Sequence, residues 1–312
     1  MSEHREFNMK TIMVATDLSD ASYGARNYAR QLARRFSAKV LLVHVIEPSR
    51  PGMDQSAEPL SQRIDFAEDQ LQKMASALHF DDVHCAIIVR TGDIRETIAN
   101  LITERNADLL ILGTRSKDHK PGDALGSVAE KLVRGMPCPV LTVGKYVRQD
   151  SLEKTHPCTV LFPTDFSEMS RAALAYTECL TKDLGGHLCL LHVDDSGVDV
   201  ASPPAREADF ERQMARMKDP SLVSQCITRK GKPAEVIAAV SIEKWADFIV
   251  MGVHGTEEMD KSRKYRIAYD VIRSVRCPVF TLFVCPQEAI VKSEHSRGTV
   301  SADSAALMSK TS

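Results

Sequence analysis

Residues 113–127 read GTRSKDHKPGDALGS, which places glycines, small hydroxyls and lysines directly after the apolar run ADLLIL. Gly113 can take backbone angles closed to other residues and lets a ligand approach the main chain closely. Gly126 and Ser127 immediately precede a helix-like segment, VAEKLVRG. Its first amides, the Ser127 hydroxyl and the helix dipole would face an anion such as phosphate. Lys117 and Lys120 could add charge. A plain strand-to-helix turn has the same composition, however. The spacing is not that of a Walker A loop, which needs G-K-[ST] as a unit, and neither Gly24 nor Gly92 builds a G-x-G-x-x-G. Both readings stay open on these residues alone.

Other reactive residue types are present but poorly arranged for catalysis or metal binding. Asp17 and Asp165 each follow a strand-like run, in ATD and PTD. An Asp there can accept hydrogen bonds from ribose hydroxyls, or help cap the next helix with Ser19 or Ser167. His44 and His192 end equivalent runs, but no acid or nucleophile is fixed beside either, so a histidine bonded to backbone is expected. Eight cysteines include no C-x-x-C pair, and most sit in apolar runs where cysteine acts as a small hydrophobe. Structural zinc is disfavoured. Cys138 and Cys277 recur in CPV and are read as core; Trp245 is likewise read as packing.

The elements that must position these residues are written twice. TIMVATDLSDAS at 11–22 returns as TVLFPTDFSEMS at 159–170, and KVLLVHV at 39–45 as HLCLLHV at 187–193, an offset of 148 residues. TGDIRETIANLITERNADLLILGT at 91–114 returns as KGKPAEVIAAVSIEKWADFIVMGV at 230–253, an offset of 139. The second copy is therefore nine residues shorter between its second and third strands. Internal repetition at this length is a tandem duplication. Each copy alternates short Val/Ile/Leu runs with helical spacing, the pattern of a doubly wound parallel sheet buried on both faces. The runs predict strands near 10–16, 39–46, 83–90, 107–112 and 138–143, then 158–163, 187–193, 222–229, 246–251 and 277–284. A first helix is expected over 20–36 with Ser19 as its cap. The boundaries read as one domain at 1–147, a second at 148–286 and a disordered tail at 287–312.

Together, PTDFSEMS, LLHV, ADLLILGT, LGSVAEKLVRGMPCPVLTV and MGVHG resemble the universal stress protein family. The resemblance implies an adenine-nucleotide-hydrolase-like α/β fold with strand order 3-2-1-4-5 in each copy. Members with G-x-x-G-x9-G-[ST] after the fourth strand bind ATP or AMP, and others lack the motif and bind no nucleotide. Carried over, the resemblance puts Asp17 at the ribose and the main chain of Val45 at the adenine. Leu112 and Gly113 would line the nucleotide, with Gly126, Ser127 and Val128 at the phosphates. Ser116 stands at the motif's second glycine. In the second copy Asp165, Val193, Met251, Gly252 and Gly255 match, but Tyr265-Arg266 replaces the Gly-Ser pair. ATP or AMP, with Mg²⁺ accompanying the phosphates, is the cofactor so implied. A nucleotide-free interaction protein is the alternative. The family's pairing through fifth strands implies that PCPVLTV and RCPVFTL meet antiparallel as an internal pseudo-dimer, with further self-association open and the protein partner unspecified.

Bulk properties agree with this reading. The chain has 312 residues, 43% hydrophobic and 26% charged, with a formal net charge of −2. That balance gives no general electrostatic reason to expect nucleic acid or an anionic membrane as partner. No apolar run reaches the roughly 18 residues of a membrane span, and MSEHREFNMK lacks a secretion signal's apolar core. A cytoplasmic protein is expected. Enzymatic adenylyl or thiol transfer is disfavoured, since neither H-x-G-H nor S-G-G-x-D-S is present.

Overall fold

The computed structural model describes residues 9–19, 22–48, 58–79, 83–114, 126–133, 135–144, 146–148, 156–195, 203–254 and 263–284. The proposed tail, Ser116 and Gly255 lie outside the described residues, as do the side chains of Ser127 and Tyr265. The first copy supplies strands β1 (Thr11–Ala15), β2 (Lys39–Ile46), β3 (Cys85–Thr91), β4 (Leu109–Gly113) and β5 (Val140–Val143). Helices α1 (Tyr23–Phe36), α2 (Leu60–His79), α3 (Ile94–Arg105) and α4 (Ser127–Val133) connect them. The second copy repeats the order with β6 (Thr159–Pro163), β7 (His187–Asp194), β8 (Val223–Lys230), β9 (Phe248–His254) and β10 (Val279–Val284). Its helices are α5 (Glu168–Asp183), α6 (Pro203–Met214), α7 (Pro233–Glu243) and α8 (Arg263–Ser274).

Strand order within each copy is 3-2-1-4-5, because β3-β2-β1-β4-β5 is mirrored by β8-β7-β6-β9-β10. The two five-stranded halves meet through their fifth strands, as the family resemblance implied. They form a single ten-stranded sheet in which β5 pairs antiparallel with β10. Leu141 lies opposite Phe280, flanked by Thr142 opposite Val279 and Val140 opposite Thr281. Two threonines brace the seam reciprocally: Thr142 donates to the Val279 carbonyl at 3.2 Å and Thr281 to the Val140 carbonyl at 3.3 Å. This pairing gives both fifth strands a neighbour and removes two open edges.

Each sheet face has one continuous apolar layer that runs through both halves. On the first face, Tyr28 of α1 packs edge-on against Phe248 of β9, and Phe248 packs against Phe280. On the second, α4 and α8 meet, with the Tyr269 hydroxyl donating to the Glu130 carbonyl at 3.1 Å. At the strand starts, Asp108 accepts from the Lys10 and Thr11 amides, and Asp247 from the Thr159 amide at 2.9 Å. These carboxylates tie the entry to β4 and β9 onto the neighbouring first strand. Among the described residues, no helix is long and apolar enough to cross a membrane.

Candidate functional site

In each half, β1-type and β4-type strands lie side by side while their following helices go to opposite faces. Ala15 is paired with Leu112 on one side and with Val43 on the other. The divergence of the chains leaves a crevice beyond the strand ends, the usual ligand position in such sheets. In the first half this crevice is a cavity of about 230 Å³. Asp17, Val45, Leu112, Gly113, Gly126 and Val128 all line it. Six residues named from the sequence thus converge on one space.

The local geometry explains how they are held. Asp17 is exposed, and its Oδ1 accepts from both the Ser19 amide at 3.0 Å and the Ser19 hydroxyl at 2.6 Å. That is a turn closed on the aspartate's own loop. Oδ2 has no hydrogen bond among the described residues. Ser19 is consequently not the cap of α1, which begins at Tyr23 after Ser22. The Ser22 hydroxyl is itself engaged, donating to the Ser19 carbonyl at 2.7 Å and accepting from Thr16 at 3.1 Å. Across the cavity, the Gly126 amide bonds the Thr114 carbonyl at 3.0 Å, so the chain leaves and re-enters the crevice at one point.

Several lining residues were not assigned to a site by sequence reasoning. His44 Nδ1 lies 2.8 Å from the Thr16 carbonyl, so Nδ1 carries the proton and, in the neutral ring, Nε2 is an acceptor. His192 repeats the contact with Thr164 at 2.9 Å. The backbone role expected of these histidines is present, yet His44 also lines the cavity. Ile94 and Ile98, one turn apart on α3, form an apolar wall. Their i,i+4 spacing was the available signal. Arg63 of α2 stands at the rim, its guanidinium 3.4 Å from the Glu47 carbonyl. α4 begins at Ser127, one residue before the segment the sequence marked as helical.

The corresponding residues of the second half are arranged differently. Asp165 is exposed, and its Oδ1 accepts from the Ser167 amide at 3.0 Å and the Ser170 hydroxyl at 2.6 Å. Val193 is half-buried and Met251 buried. A Cβ on Gly252 would stand 3.1 Å from the Ala173 Cβ and 3.1 Å from the Met169 carbonyl. Close packing of α5 on β9 is therefore a sufficient reason for that glycine. The wide groove on this half, about 990 Å³, is lined by Asp194, Lys230, Lys232, Arg266, Asp270 and others. It includes none of Asp165, Val193, Met251 or Gly252. Among the described residues of both halves, no three His, Cys, Asp or Glu side chains come together to hold a metal.

The cysteine chemistry is equally clear. Burial pushes the Cys138 and Cys277 thiols from 9.0 up to about 12. Cys85 and Cys189 rise to about 11 for the same reason. Buried neutral thiols are packing groups and poor nucleophiles.

A sequence model described as the universal stress protein family matches residues 8–144 and again 158–282. The chain belongs to the universal stress protein family. Universal stress protein MJ0531 of Methanocaldococcus jannaschii is 30% identical over 147 residues, 44% of this chain and 82% of that protein. A universal stress protein of Thermus aquaticus is 33% identical over 136 residues, 43% of this chain and 98% of its own. Each relative thus corresponds to less than half of the chain, as one copy of a duplicated unit should. Over both copies, the fold is similar to a crystal structure of a universal stress protein from Archaeoglobus fulgidus. The TM-score is 0.71 at 21% identity, covering 89% of this chain and 99% of that one.

Proposed function

We propose that this universal stress protein binds an adenine nucleotide, ATP or AMP, in its first half and acts in stress response or signalling as a ligand-dependent module. The observation that carries the reading is the convergence of Asp17, Val45, Leu112, Gly113, Gly126 and Val128 on one cavity of about 230 Å³. Its size suits a nucleoside better than a whole triphosphate, which sets the base and ribose inside and the phosphates toward Gly126. Ile94, Ile98 and Val45 supply an apolar surface for a purine. Asp17, with one carboxylate oxygen held by Ser19, offers its other oxygen to a ribose hydroxyl. Ser127 and Ser116 would meet the phosphates, and any Mg²⁺ would be held chiefly by the phosphates themselves. In the second half, Asp165, Val193, Met251, Gly252 and Gly255 would reach a nucleoside portion at most. The domains implied are 1–147 and 148–286, with the ligand site in the first and the module working in the cytoplasm.

Binding to the folded state raises stability by about 2.7 kcal/mol when ligand is 100-fold above its Kd. Thermal unfolding with ATP or AMP should therefore shift upward in the parent. Gly126→Tyr, which fills the cavity mouth, should unfold at one temperature with or without nucleotide. Equal shifts in parent and variant would displace the site, and no shift in the parent would leave a nucleotide-free interaction protein. Mass spectrometry of the protein as purified is expected to show a bound adenine nucleotide.

A further inference from the structure

A second, smaller cavity lies beside the carboxyl end of β6, between α5 and α6. It measures about 180 Å³ and is lined by Phe166, Arg171, Asp209, Arg212, Gln213 and Arg216. Half of the lining is arginine, and Arg206 joins through Asp209, with Nη1 3.5 Å from its carboxylate. Asp209 also pairs with Arg212. Arg171 donates to the Phe166 carbonyl at 2.6 Å and lies 3.5 Å from Glu168, which is 90% exposed. Arg216 has no carboxylate partner among the described residues. Four guanidinium groups therefore stand with two carboxylates, one of them fully in solvent.

The buried residue in this lining is what points to a ligand. Gln213 is 3% exposed, and its Oε1 accepts from the Thr164 hydroxyl at 3.1 Å. The Thr164 oxygen in turn accepts from the Phe166 amide at 3.0 Å. This leaves the Gln213 Nε2 donor buried with no acceptor, and the Arg206 Nε is in the same condition. Buried donors are nearly always satisfied in native proteins, by protein, water or ligand. An unpaired donor in a lining rich in guanidinium groups, the Gln213 Nε2, is the complement of an acceptor-only oxyanion.

We propose that this cavity binds a phosphoryl group, as inorganic phosphate or the phosphate of a small metabolite. The volume admits a phosphate with a short organic portion. The first half has no equivalent, because Leu18 and Tyr23 stand at the positions of Phe166 and Arg171. The site belongs to the second half alone and does not depend on the nucleotide reading of the first.

The test is titration of the intact chain with inorganic phosphate and with pyrophosphate, followed by calorimetry, with chloride as the ionic-strength control. One saturable site for phosphate is expected. Tighter binding of pyrophosphate would favour a free polyphosphate source, and tighter binding of a phosphate monoester such as glycerol phosphate a metabolite. The double variant Arg212→Ala/Arg216→Ala removes two exposed side chains and should weaken binding by about tenfold or more, with its thermal unfolding in chloride unchanged. Gln213→Met should weaken it too, whereas Gly126→Tyr should bind phosphate as the parent does. Absence of saturable uptake, full retention in the arginine variant, or loss in Gly126→Tyr would each overturn the assignment.

Discussion

Aspartates and cysteines recur in pairs across the two copies, and their surroundings sort them into jobs. Asp108 and Asp247 accept strand-end amides and hold the sheet together, whereas Asp17 and Asp165 close exposed loops beyond the strands. Nothing in the residue type distinguishes these jobs; the preceding element does. Cys138 and Cys277 were legible as core because each opens an apolar run, and their burial raises both thiols to about 12. The consequence for pH has a definite sign. An unfolded thiol ionises near 9, while the folded one stays protonated to about 12, so above pH 9 the unfolded state holds fewer protons. The stability these thiols contribute is intact below pH 9 and is lost as pH rises toward 12. Urea unfolding midpoints measured across this range should fall, and fall less steeply in Cys277→Ala, although that variant starts lower at neutral pH. Parallel slopes in parent and variant would contradict the burial argument.

Strands were the most legible elements, because a short β-branched and leucine run buried on both faces has few other uses. Observed strand bounds fall within two or three residues of the expected ones, as at β2 and β7. Helix starts were harder. Leu18 and Phe166 both take left-handed backbone angles, φ 63° and 59°, a conformation that a bulky side chain does not advertise. After Leu18 the Ser19 hydroxyl turns to Asp17 and α1 begins only at Tyr23, whereas after Phe166 α5 begins at once, with the Ser167 hydroxyl accepting from the Ser170 amide at 3.3 Å as its cap. Trp245 departs in the same way: it is left-handed at φ 51°, 69% exposed, and stacked with the Arg148 guanidinium rather than packed in the core. Gly186, between α5 and β7, shows a close approach specific to one copy. A Cβ there would stand 2.2 Å from the Cys158 carbonyl, whereas the equivalent residue of the first half is Ala38. Backbone must move to admit it, so Gly186→Ala should cost about 1–3 kcal/mol. Chemical denaturation with an unchanged m-value would measure this. A neutral substitution would show that the turn is looser than its geometry.

At the scale of the whole molecule, the duplication has one consequence that neither copy shows by itself. The repeat was readable from offsets, while the strand order and the meeting of the fifth strands came from the family resemblance, since the two short strands that fuse the sheet look by themselves like ordinary buried runs. The antiparallel contact of β5 and β10 spans three residue pairs. So short a ladder would hold two domains weakly unless side chains reinforced it. They do: Phe280 is fully buried at the seam, 5.5 Å from the Phe248 ring and 6.4 Å from Tyr176. Phe248 passes the contact to Tyr28 of the first half at 6.0 Å. With the apolar layers of both faces continuous across the seam, the halves should unfold together. Calorimetry of the parent is expected to show a single transition, and nucleotide bound in the first half should shift all of it. Phe280→Ala leaves a cavity in this shared cluster and should cost about 3–5 kcal/mol. Because the cavity lies on the seam, the variant should also uncouple the halves, giving two transitions of which only the first-half one responds to nucleotide. Two separated transitions in the parent would mean that the halves are not coupled, whereas a variant that melts lower but still as one unit would mean that the three-pair ladder rather than the aromatic cluster couples them.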